Sequence, residues 1–285
     1  MIYDIVHTTE YRFQRPVTFG LHRLTFRPRD SHDMRVLATN LEVSPRASRT
    51  SMVHDVYGNS VVLLQPDGPA DSLLITSRFS VEHLGSVAFV AGAESAPGWM
   101  PPDYTSVERL ALTPFLLPSF EDPTHQVRTW AQGFVGADGS PRQIIEAMCD
   151  AIRSGFRYAA RDEEGTQAPA QTLAMGSGAC RDFATLMIDA LRRLGIAARF
   201  VSGFVYSPAQ DGIQGGGATH GWVQVYLPDG GWFPVDPTNN LIGGSDLIRI
   251  AVAREATEVP PLTGQWFGVT DDYIDMRVDV QVQAR

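Results

Sequence analysis

The sequence predicts an α+β chain: an N-terminal antiparallel β-sandwich domain followed by a core in which helices pack on an antiparallel sheet. Three observations carry this. Residues 1–92 alternate apolar and polar side chains between closely spaced turn signals. Residues 93–123 are rich in proline and alanine and mark a connecting segment. Residues 124–285 begin with two stretches of helical periodicity and return to alternation afterwards, a helix group followed by a strand group.

Each element follows from its residues. The opening run Tyr3–Phe13 alternates loosely, as do 34–43, 51–57 and 73–82. Breaks fall at Pro28, at Ser44-Pro45, at Tyr57-Gly58-Asn59 and between Pro66 and Pro69, the pattern of short strands in a sandwich. His7, His22, His32 and His54 stand singly in this half and read as structural or surface residues. In the connecting segment Leu110–Leu117 is too apolar for a free tether and is expected to pack across both halves. Ser140-Pro141-Arg142-Gln143 then supplies an N-cap, a first-turn proline and a capping-box glutamine. Ile144, Ile145, Met148, Cys149 and Ile152 follow on one helical face, so Cys149 reads as a small core residue. A second helix starts near Cys180, with Phe183, Met187, Ala190, Leu191 and Leu194 as its stripe and Gly195 as its stop. Strands are expected at Ala197–Tyr206, Trp222–Leu227, Trp232–Val235 and Leu247–Ala253, and in the strict alternation Met276–Val282.

Composition narrows the function. With 44% hydrophobic and 19% charged residues the chain can bury a sizeable core. A net charge of −9 argues against a broad nucleic-acid footprint, and no apolar run nears the ~20 residues that span a bilayer. Neither nucleic acid nor membrane is therefore expected as a partner. Two cysteines exclude a disulfide framework and a four-cysteine zinc site, and a cytoplasmic location is the simplest expectation. The acidic cluster Asp162-Glu163-Glu164 lacks the spaced ligands of an EF-hand. Phosphate-loop, dinucleotide and serine-elbow motifs are absent, and neither metal nor cofactor is expected.

Chemistry gathers at three positions. Cys180 follows Gly176-Ser177-Gly178-Ala179, which lets groups approach closely, and opens a helix, where the dipole favours a thiolate. A thiolate nucleophile needs an imidazole, and His220 alone of the seven histidines follows Cys180. The imidazole needs an orienting group, and Asp236 ends the strand that returns from the Pro228–Gly231 turn. If the two strands pair, His220 and Asp236 meet at one end of the hairpin, with register deciding whether they face each other. An aspartate before proline also serves simply as a turn former.

These residues resemble the transglutaminase-like superfamily of papain-like cysteine enzymes. Three blocks carry the likeness: Gly176–Ala184 with Leu194–Gly203, His220-Gly221-Trp222, and Gly231–Thr238. His7–Tyr11, Leu24–Pro28 and Leu247–Pro261 resemble the bacterial subgroup that carries an N-terminal β-domain. The resemblance implies Cys180 as nucleophile, His220 as general base and acid, and Asp236 as its orienting carboxylate. It implies oxyanion donors at the Cys180 N–H and, as a side-chain candidate, Tyr158. Trp222 and Trp232 are candidates for lining a substrate groove, although strand aromatics are at least as often core. Departures are small: Ala179 stands where a larger residue is frequent, Gly221 where alanine is usual, and Ala253–Ala256 is a loose version of a Gly-Arg-Asp-Tyr-like element. Some animal members require calcium, and no matching ligand set is visible here.

The expected function is acyl transfer at an amide through a thioester, with a peptide or protein as substrate, a glutamine carboxamide among the options. Water as acceptor gives a peptidase or amidase, the favoured reading; an amine gives protein-glutamine γ-glutamyltransferase activity. A non-catalytic interaction module on the same fold is the third alternative, and the three intact positions speak against it.

Overall fold

A computed structural model describes residues 1–86, 101–136, 140–161, 165–207, 213–214, 216–228 and 230–285. The Asp162–Glu164 cluster, Gly215 and the first part of the connecting segment lie outside them.

Six strands open the chain: β1 (Ile2–Phe19), β2 (His22–Arg27), β3 (Met34–Ser44), β4 (Ala47–His54), β5 (Ser60–Pro66) and β6 (Pro69–His83). Odd positions of β1 (Tyr3, Ile5, His7 and Thr9) point inward and even ones outward, the period-2 burial of a strand with one covered face. Helices α1 (Ser106–Leu116), α2 (Gln126–Gln132) and α3 (Pro141–Gly155) follow. The short β7 (Arg157–Tyr158), α4 (Pro169–Met175) and β8 (Ser177–Gly178) then lead into α5 (Cys180–Arg193). The second strand group is β9 (Ala197–Val205), β10 (His220–Leu227), β11 (Gly231–Asp236), β12 (Leu241–Ile242) and β13 (Leu247–Ala253). β14 (Leu262–Thr263), β15 (Trp266–Phe267) and β16 (Tyr273–Ala284) end the chain.

Two antiparallel sheets form the sandwich. One runs β15-β1-β6-β3 with β16 also on β1, the other β14-β2-β5-β4. Between them Phe13, Val17, Phe19, Leu24, Leu64, Leu73 and Ile75 make a closed apolar core. The inner face of the first sheet extends past the second, and there Tyr3, Ile5, Phe79 and Val81 pack on Phe204, Ile248 and Ile250 of β9 and β13. One continuous face thus covers two partners. His7 sits at the junction, its ring 4.3 Å from that of Phe26 and 5.6 Å from that of Phe204.

The tail corrects the expected division at residues 124–285. β16 pairs with β1 from Tyr3↔Ala284 to Phe13↔Tyr273, and β14 pairs with β2. The last strands therefore complete the N-terminal sandwich. Alternation reports that Met276–Val282 is a strand but carries no information about which sheet receives it.

The helical half is built around α5. The third sheet, ordered β12-β11-β10-β9-β13, lies on one side of it, and α2, α3 and α4 lie on the other. α3 carries the capping box, with the Gln143 N–H donating to Ser140 Oγ at 3.2 Å and the Ser140 N–H to Gln143 Oε1 at 3.1 Å. A cap of this kind stabilises by about 1 kcal/mol. Where the sequence shows a stripe, α5 is buried almost all round, including Asp182, Asp189 and Arg192. Those polar residues hide the full burial from a hydropathy reading. Each is partnered inside; Arg192, for example, donates to the carbonyls of Ala198 and Arg254 and pairs with Glu255. In α1, Leu112 is buried, and the Phe115 ring lies 5.3 Å from Trp232 and 6.4 Å from Tyr57, so this helix touches both halves.

Candidate active site

Cys180 occupies the first position of a 14-residue helix, where unpaired N–H groups and the dipole favour an anion. A buried carboxylate locks the entry to that helix. Asp182 accepts from the N–H of Ala179 at 2.8 Å, from the N–H of Gln167 at 2.7 Å and from Arg161 at 2.7 Å. Gly178 makes this possible, because a Cβ there would lie 2.8 Å from Asp182 Cβ. The sequence shows Asp182 as an acidic first-turn residue, but its long-range partners give no sequence signal.

The hairpin register settles the facing of the other two groups. Val223 pairs with Val235 and Leu227 with Gly231, so Asp236 falls opposite Trp222 and diagonal to His220 on the same face. His220 Nε2 and Asp236 Oδ2 are 2.8 Å apart, and both side chains are fully buried. Asp236 is also a turn former: its Oδ1 accepts from the Thr238 N–H at 2.9 Å. Both readings of this residue hold at once.

Asn239 completes the arrangement and escaped the sequence reading. Its Nδ2 donates to Asp236 Oδ2 at 2.7 Å, and its Oδ1 accepts from the Gln214 N–H at 2.7 Å, tying the segment before His220 to the carboxylate. Nothing in the run Thr238-Asn239-Asn240 distinguishes it from an ordinary turn.

His220 Nδ1 has no partner of ordinary hydrogen-bond geometry and stands within electrostatic reach of the Cys180 thiol. Burial alone pushes the Cys180 pKa up. The positive charge of His220, with the Gly221 N–H, outweighs burial and brings it below the ordinary thiol value. Burial likewise disfavours protonated His220, yet Asp236 and Cys180 together raise its pKa. Thiolate and imidazolium therefore favour each other.

Tyr158 comes to the same place. β7 runs parallel to β8 with Tyr158 beside Gly178, two residues from Cys180. Burial first, and then the negative charge of Cys180, raise its pKa to about 12, so it keeps its proton and can donate. Of the two readings of Trp222, groove or core, the structure shows the core one. It is 1% exposed and stacks on the His220 ring at 5.9 Å, so it backs the imidazole and lines no open groove. Trp232 lies at the other end of the hairpin against Arg199. Gly221 is explained by packing: a Cβ there would meet Phe200 Cζ at 2.6 Å.

Residues 128–237 match the transglutaminase-like superfamily core, and residues 3–82 match the bacterial transglutaminase-like N-terminal region. The chain belongs to the transglutaminase-like superfamily. Within that superfamily it is 28% identical to the uncharacterized protein Rv2569c of Mycobacterium tuberculosis, an alignment spanning 98% of this chain and 92% of the relative. It is equally 28% identical to the uncharacterized protein ML0607 of Mycobacterium leprae, over 97% of each. The solved structure of a cysteine-protease candidate from Cytophaga hutchinsonii superposes with a TM-score of 0.73, covering 100% of this chain and 91% of that one. At 18% identity this match speaks for the transglutaminase-like fold alone. No helix among the described residues is long and apolar enough to cross a membrane.

Proposed function

We propose that the chain is a cysteine-dependent hydrolase of amide bonds in peptides or proteins, with Cys180 as nucleophile, His220 as general base and acid, and Asp236 as the orienting carboxylate. The observation that carries the reading is the buried His220–Asp236 pair at 2.8 Å, whose second ring nitrogen has no hydrogen-bond partner and whose charge acts on the Cys180 thiol. The Cys180 sulfur adds to the substrate carbonyl carbon, and the N–H of Cys180, with the Tyr158 hydroxyl, stabilises the oxyanion. The C–N bond breaks as His220 delivers its proton to the departing amine, leaving a thioester. Water, losing a proton to His220, then displaces the sulfur and releases the carboxylate. Asn239 and Trp222 hold carboxylate and imidazole in place and are positioning residues. The cysteine-protease designation of the Cytophaga hutchinsonii protein agrees with hydrolysis as the outcome.

The test is incubation of the full chain with a casein digest, with and without an added primary alkylamine, read by mass spectrometry. Hydrolysis predicts new free carboxylates whether or not amine is present, and their loss in Cys180→Ala. Amine incorporation in place of hydrolysis would make the chain a transamidase. Full turnover in Cys180→Ala would end the mechanism.

A further inference from the structure

A second polar site lies where the sandwich, α1 and the β9–β13 sheet meet, away from Cys180. Arg199 on β9 is half-buried and has no carboxylate partner among the described residues. Its Nε and Nη2 both donate to Gln224 Oε1, at 3.0 and 2.9 Å. The guanidinium lies 4.0 Å from the centre of the Trp232 ring and 6.0 Å from that of Phe115. Stacking on Trp232 and the grip of Gln224 fix the group in one orientation. Gln224 occupies one side of the fork, and Nη1 with the outer N–H of Nη2 remains for an end-on pair of hydrogen bonds.

The surroundings add positive charge. Arg29 lies against the Tyr57–Gly58 backbone, its Nη1 3.4 Å from the Tyr57 carbonyl, and it too lacks an ion pair among the described residues. The Tyr57 ring reaches Phe115 at 6.4 Å, which joins Arg29 to the cluster. No carboxylate among the described residues pairs with Arg199: Glu258 and Glu108 are held by the Tyr57 and Tyr226 hydroxyls, at 2.7 and 2.6 Å, and Asp33 binds Arg249. Burial, with the charges of Arg249 and Arg29, lowers the Arg199 pKa to about 9. A fixed, half-buried guanidinium among other cations has no carboxylate paired with it, and a bound anion would supply what the chain does not.

We propose that Arg199, with Arg29 at its margin, forms a binding site for an oxyanion, the carboxylate or phosphate group of a ligand, at the seam between the sandwich and the β9–β13 sheet. The planar fork suits two oxygens of one such group, and preorganisation by Trp232 and Gln224 removes the entropy cost of ordering a long side chain. Nothing in this site depends on the chemistry at Cys180.

The experiment titrates the full chain with sodium acetate and with sodium phosphate, at ionic strength held constant with sodium chloride, and reads tryptophan fluorescence, to which Trp232 contributes. The expected result is a saturable change absent from the sodium chloride control. Arg199→Met should abolish it, Arg199→Lys should weaken binding about tenfold by losing the fork, and Arg29→Gln should weaken it roughly fivefold through charge alone. Tighter binding of acetate marks a carboxylate ligand, and tighter binding of phosphate marks a phosphate ligand. Arg29 is exposed, so Arg29→Gln decides the matter should an Arg199 variant fail to fold. No saturable response to either anion, or unchanged affinity in Arg29→Gln, overturns the proposal.

Discussion

The middle of α3 and the start of α5 each bury one cysteine, and the chain drives the two thiols in opposite directions. Cys149 lies on the apolar face of α3, donates to the backbone carbonyl of Asp236 at 3.4 Å and has its pKa pushed far up by burial and by the Asp236 charge. Cys180 is also buried, but its pKa falls because His220 and a backbone N–H answer the charge. Burial does not decide the fate of either thiol. Placement does: both sulfurs lie near Asp236, and only Cys180 has an imidazole to shield it from that carboxylate. The two most buried histidines repeat the contrast. His7, wedged between Phe26 and Phe204, has its pKa lowered to about 4 by burial, whereas Asp236 raises that of His220.

The sharpest way to break the contrast is at the start of α5. Cys180→Ala and His220→Ala should each lower kcat/KM by at least ~10³-fold, with Cys149→Ala near wild type, measured as peptide turnover. His220→Ala should also cost about 3 kcal/mol in chemical denaturation, because it leaves the buried Asp236 carboxylate with Asn239 and the Thr238 N–H but no cationic partner. Asp236→Asn should keep the fold and a residue of activity, about 10²- to 10⁴-fold below wild type. Retention of more than a tenth of activity would remove the orienting role.

His7 gives a stability test in the other region. Its folded pKa lies below the unfolded value, so the unfolded chain binds the proton more readily and stability rises with pH across the window between about 4 and 6.5. The contribution is fully present above pH ~6.5 and is lost as pH falls towards 4, about 3 kcal/mol in all. His7→Phe should flatten this part of the profile of melting temperature against pH relative to wild type. Parallel profiles would show that the pKa of His7 is the same in the folded and the unfolded chain.

Two smaller effects sharpen the account of the site. Asn239→Ala should lower kcat about tenfold with little change in KM, by loosening Asp236. Gly221→Ala should destabilise by about 1–3 kcal/mol through the clash with Phe200, and Phe200→Leu should restore part of the loss.

Much of this was legible in the sequence. Cys180, His220 and Asp236 each combine a reactive side chain with the end of a regular element, and the short Pro228–Gly231 turn limits the register that brings the last two together. Local signals also fixed the Ser140 cap and the left-handed Gly195 that ends α5. The unread parts depend on distant partners. Asp182 is held by Gln167 and Arg161, Asn239 by Gln214, and β16 by a strand at the opposite end of the chain. Arg199 is unreadable for the same reason, since an arginine in an apolar strand says nothing of which charges face it.

The most direct test of the central claim is the rate of iodoacetamide alkylation against pH, followed at both cysteines by mass spectrometry. Cys180 retains 7% exposure and Cys149 none, so Cys149 serves as the unreactive internal reference. The account predicts rapid labelling of Cys180 that persists below pH ~6 and disappears in His220→Ala. Labelling of Cys180 that rises only as pH approaches ~8.5, as for an ordinary thiol, with no dependence on His220, would contradict it.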